Sequence, residues 1–110
     1  MIQKFNIEDA ILIASIICGR DGVISGEELE VMFLKFQEFD SSLTRDLFEE
    51  TIDRYFSEEP TLTDLVSKFT NNKDQEVIVT IASDSAAADG LDVKENIALE
   101  KLKKEWSTDD

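Results

Sequence analysis

Four carboxylates stand at positions where they could act together. Asp21 and Glu28 bracket the stretch Asp21-Gly22-Val23-Ile24-Ser25-Gly26-Glu27-Glu28-Leu29, and Asp89 and Glu95 bracket its echo, Asp89-Gly90-Leu91-Asp92-Val93-Lys94-Glu95. Each copy ends an apolar helical pattern, turns at an Asp-Gly pair, and opens a new helix with an acid in its first turn. Two carboxylates per turn, in a chain with no histidine, offer hard oxygen donors. They suit a hard cation such as Ca²⁺ or Mg²⁺, which oxygen ligands hold, better than acid–base chemistry. A second reading gives the same residues a structural role. Ser25 with Glu28 three residues on, and Asp92 with Glu95, are capping boxes in which the acid satisfies a backbone N–H. Ile24 and Leu29 make the matching hydrophobic staple, and Asp-Gly favours a turn because glycine takes positive φ at no steric cost.

Other chemistry has little to work with. Cys18, the lone cysteine, sits in an apolar run with no histidine to activate it, so nucleophilic catalysis lacks its parts. Soft-metal sites built from cysteine and histidine are excluded by count, and no glycine-rich phosphate loop is present. Paired carboxylates without a substrate cleft or long loops do not make a glycosidase. The expectation is a protein that is not an enzyme.

Charge points the same way. The 110 residues carry 25 acids against 11 bases, a net charge of −14, with the excess shared evenly between the two halves. An evenly acidic globule repels phosphate backbones and anionic lipids. It favours cations and basic protein partners, and it disfavours nucleic acid. The lone Cys18 allows no internal disulfide and suits a reducing compartment. The opening residues lack a signal-peptide layout, and the apolar run at residues 10–18 is too short to span a bilayer. The expectation is a cytoplasmic protein with no direct membrane insertion.

The elements that position the two turns read as helices throughout. Asn6 caps a first helix from Ile7 to Cys18 that is apolar on nearly every side and must be central. A second runs from about Gly26 to Phe39, with Leu29, Met32, Phe33, Phe36 and Phe39 at three- and four-residue steps. Asp40-Ser41-Ser42 is positioned to cap a third from about Leu43 to Phe56, with a stripe of Leu47, Phe48, Thr51, Ile52, Tyr55 and Phe56. Pro60 ends it. Thr61 and Asp64 open a short fourth helix through Leu62, Leu65, Val66 and Phe69, and Asn71-Asn72 caps a fifth from Lys73 to Ala88. Asp92 starts a sixth whose core candidates are Ile97, Leu99, Leu102 and Trp106. No segment alternates with a period of two, so the fold class is all-α: one domain, about six helices, with two pseudo-symmetric helix–turn–helix hairpins joined by middle helices.

The first turn matches the second half of an EF-hand loop, but Ile17 and Gly19 fall where its first acidic ligands belong, and Asn96 falls at the closing position of the second copy. The chain more closely resembles the tellurite-resistance TerB-like family, which includes the N-terminal domain of the DjlA co-chaperone. The resemblance rests on an apolar helix ending in small residues, then Asp-Gly, then an acid opening the next helix. This occurs twice, in residues 7–29 and 77–99. Ala86-Ala87-Ala88-Asp89-Gly90 is the nearer match to the family junction; Cys18-Gly19-Arg20-Asp21-Gly22 departs from it at Arg20, and the second loop is one residue shorter. The resemblance implies a helical domain whose acids, here Asp21, Glu28, Asp89 and Glu95, cluster in a metal-binding centre. It also implies a binding or scaffold module associated with stress response, defence and membrane-linked complexes. The alternative is an acidic protein-interaction module, a nucleic-acid mimic or an inhibitor of a basic partner, that needs no metal. The identity of the partner and the oligomeric state are not written in the sequence.

Overall fold

The computed structural model describes residues 6–19, 24–88 and 93–106, the side chains of residues 93–95 excepted. Six helices follow one another: α1 (Ile7–Cys18), α2 (Gly26–Phe39), α3 (Arg45–Glu58), α4 (Leu62–Val66), α5 (Asn72–Ala86) and α6 (Val93–Trp106). Among the described residues there is no strand, and the expected all-α architecture of about six helices is what is found. No helix among them is long and apolar enough to cross a membrane.

Side-chain oxygens fix most of the helix starts, as the sequence predicts. Asn6 accepts a hydrogen bond from the Asp9 N–H at 3.1 Å, Thr61 from the Asp64 N–H at 3.4 Å, and Asn71 from the Lys73 and Asp74 N–H groups. The third helix corrects the expectation. Asp40 turns back on its own segment, accepting from the Ser42 N–H at 3.1 Å and the Ser42 hydroxyl at 2.6 Å. The cap falls to Thr44, whose hydroxyl accepts from the Leu47 N–H, so α3 starts at Arg45 and runs on to Glu58. Glu59 then takes the left-handed conformation (φ 48°) ahead of Pro60. The fourth helix is also shorter than expected: it ends at Val66, and Phe69 is buried from the loop beyond it.

α1 is the hub. It is buried continuously from Asp9 to Cys18, and it packs against each of the other five helices. Around it, Met32, Phe33 and Phe36 of α2, Phe48 and Ile52 of α3, Leu65 and Val66 of α4, Ile78, Ile81 and Ala82 of α5, and Leu99 and Leu102 of α6 complete one core. Three expected core positions face out, Phe39 at 43% exposure among them. Ile97 is 62% exposed, because it lies about 200° around α6 from the buried Leu99. Phe56 is 51% exposed and stacks edge-on against Tyr55 instead.

Specific contacts fix how the hairpins run. Lys68, just before α5, pairs with Asp9 at the start of α1 at 3.6 Å. Lys35 of α2 pairs with Asp84 near the end of α5, also at 3.6 Å. One turn further along α2, its last residues Glu38 and Phe39 share a groove with Lys73 and Glu76 at the start of α5, so α2 and α5 are antiparallel. The Trp106 indole N–H donates to the Val66 carbonyl at 3.1 Å, and its ring meets Phe69 edge-on, returning the end of α6 to the start of α5. Gly19, Ile24, Ala88 and Val93, the described residues that flank the two turns, therefore lie toward the same end of the bundle.

Candidate cation site at the two turns

Glu28 is the candidate ligand whose side chain is described, and it does what a capping box requires. Its Oε1 accepts the Ser25 N–H at 2.9 Å while the Ser25 hydroxyl accepts the Glu28 N–H at 3.1 Å. Ile24 is buried and Leu29 partly buried, forming the apolar side of the same turn. The carboxylate is nonetheless only 2% exposed. Most capping glutamates sit at the water boundary, and burying a charge costs several kcal/mol, on the order of 5, unless partners offset it. The α2 N-terminal dipole and one N–H supply part of that compensation. A carboxylate has about four acceptor positions, so the cap bond does not exhaust Glu28. The capping and ligand readings of this residue are compatible.

The position of Glu28 follows from its helix. It lies two turns before Lys35, about 10 Å along the axis, and Lys35 is level with Asp84. Along the antiparallel α5, Glu28 is therefore level with a point past Ala86, where that helix ends. Asp21 and Asp89 lie outside the described residues, as does the side chain of Glu95, whose backbone belongs to the first turn of α6. Among the described residues no group of three or more histidine, cysteine, aspartate or glutamate side chains could hold a metal.

Two neighbouring features escape a motif-based reading. Ser85, in the last turn of α5, is fully buried, and its hydroxyl has no hydrogen-bond partner among the described residues. Buried hydroxyls are almost always paired, and a helical serine ordinarily bonds the carbonyl four residues back, as Ser15 does to Ile11 at 2.7 Å. Ser85 is thus an unsatisfied hard oxygen in the last turn of α5, and a serine in an alanine-rich segment carries no sequence signal of this. Gly19 is the second feature. A Cβ there would stand 2.6 Å from the Tyr55 hydroxyl and 3.0 Å from the Ser15 carbonyl, so the close of α1 is sealed by an aromatic from α3. Cys18 beside it is fully buried, in keeping with a structural thiol.

The donors of Glu28 and Ser85, a carboxylate and a hydroxyl, are of the class that Ca²⁺ and Mg²⁺ take. No protein-family model, no curated protein and no solved structure matches this chain.

Proposed function

We propose that this chain is a non-enzymatic, TerB-like binding or scaffold module, in the manner of the stress-response and defence proteins it resembles. Asp21 and Glu28 of one turn and Asp89 and Glu95 of the other would together hold a divalent cation, Ca²⁺ or Mg²⁺. The observation that carries the reading is the burial of Glu28 in the first turn of α2; the antiparallel run of α2 and α5 supports it, because it turns the helix ends that flank the two turns the same way. The Ser85 hydroxyl in the last turn of α5, without a partner among the described residues, adds a second hard oxygen to the helix ends that lead into the turns. The cation would offset the mutual repulsion of the acids gathered there and fix the two hairpins to one another, leaving the acidic outer surface to engage a protein partner.

Thermal unfolding with and without chelator tests this. A cation at a hundred times its dissociation constant stabilises by about 2.7 kcal/mol, which for a domain of this size raises Tm by on the order of 10 °C. Glu28→Gln keeps the cap acceptor and removes the charge, so this variant should melt near the chelated wild type and lose the response. A Tm unmoved by millimolar Ca²⁺, Mg²⁺ or Mn²⁺ would reduce the four acids to caps and turn formers.

A further inference from the structure

A groove of about 670 Å³ lies between α2 and α5. Its wall on α5 follows one face of that helix from Lys73 to Asp84, about three turns or 16 Å. Phe39, Val77 and Ile81 supply its apolar lining, and Phe39 is 43% exposed although it belongs to the aromatic stripe of α2. Glu38 and Glu76 stand on opposite walls, and neither takes part in an ion pair with another described residue. At one end Lys35 is neutralised by Asp84. At the other, Lys73 begins α5.

We propose that this groove docks a basic amphipathic helix of a partner protein. The length of the α5 wall matches about three turns of an incoming helix, and the apolar lining accepts side chains at i, i+3 or i+4, and i+7. Glu38 on α2 and Glu76 on α5 put an acid on each wall of that lining, so lysines or arginines flanking the apolar stripe meet acids on both sides. The net charge of −14 attracts such a segment from a distance and disfavours a second copy of this chain. Lys73 sets direction, because a cation suits the electronegative C-terminal end of a docked helix; the partner helix then runs antiparallel to α5. None of the residues lining this surface is one of the four candidate cation ligands, and docking does not depend on that site.

The test uses the intact chain in the presence of chelator and three synthetic peptides of about four turns. One has leucines at i, i+3, i+4 and i+7 with lysines elsewhere; the second keeps the leucines and replaces lysine by glutamine; the third keeps the lysines and replaces leucine by serine. Amide chemical shifts should move for the first peptide at residues 35–39 and 73–84, with binding that weakens as salt rises. Thr80→Arg, at an exposed position in the groove, should weaken it about tenfold or more. Glu50→Gln makes the same charge change on the exposed surface of α3 and should weaken it far less. Equal effects of the two substitutions, shifts scattered over the surface, or equal binding of the leucine-free peptide would each overturn the proposal in favour of unspecific charge attraction. Equal binding of the glutamine peptide would overturn the basic character of the partner, and dimerisation through these residues would overturn the choice of a foreign helix.

Discussion

The two hairpins share a plan and differ in how deeply they are set. In the first, α1 is enclosed by all five other helices; in the second, its counterpart α5 packs on α1, α2 and α6. The cause is the chain between them. Both α3 and α4 pack on α1, whereas part of α5 beside α2 lines an open groove. The junctions differ in the same sense. Aligned on Asp-Gly, Gly19 corresponds to Ala87; Gly19 is pressed by the Tyr55 hydroxyl, while Ala87 is exposed. A repeated sequence pattern thus yields one helix used as a hub and another that keeps an open face.

That difference is open to measurement, and the largest effect should come from the hub. Ile13→Ala removes a fully buried side chain and should destabilise by about 2–5 kcal/mol in urea unfolding, while Val79→Ala on the partly buried side of α5 should cost less than about 1.5. Similar losses at the two positions would remove the asymmetry. Next come the junctions. Gly19→Ala should cost about 1–3 kcal/mol because Tyr55 must move, and Tyr55→Phe in the same chain should recover part of it; Ala87→Gly should cost about 1 kcal/mol or less. If the Gly19 variant were as stable as wild type, the aromatic seal would be loose.

Smaller still is the cap that joins the first turn to α2. Ser25→Ala should lose about 1 kcal/mol, read in the same denaturant series. The smallest change concerns the exposed Arg45–Glu30 pair at 3.1 Å, where Arg45 also lies 4.1 Å over the Phe33 ring. The hydrogen bond from Arg45, and then its charge, hold the Glu30 carboxyl below the usual carboxylate range. The pair therefore stabilises above the pKa that glutamate has in the unfolded chain, and that contribution is lost as pH falls through the lower folded value. Glu30→Gln should make stability fall slightly less steeply in that acid window, with the effect kept small by solvent screening.

Much of this was legible in the sequence because it is local. Asn6, Ser25, Thr61 and Asn71 act within three residues of themselves, so the caps identify their helices directly. The start of α3 was not, because Asp40 and Ser42 satisfy each other and leave Thr44 to cap, a choice between two local networks of similar type. Ile97 was misplaced because an apolar residue near a stripe is not always on it; Leu99, Leu102 and Trp106 define a face that Ile97 misses. What lay beyond reading was pairing across distance. Periodicity shows that Val77 and Ile81 share a helix face, but nothing in it shows that Glu38 and Phe39 stand opposite. Nor does it show that Ser85 is buried without a partner among the described residues. For the candidate site, the sequence supplied Glu28 as a cap and a ligand candidate, and the fold added its burial and its place at the shared end of the hairpins.

Paramagnetic broadening by Mn²⁺, followed amide by amide on the intact chain, tests the central claim most directly. If the acids of both turns hold one cation, signals flanking residue 21 and residue 89 should broaden together, with one midpoint and at substoichiometric metal, and Glu28→Gln should abolish both. Broadening at only one turn, or spread over the acidic surface without a common midpoint, would contradict it.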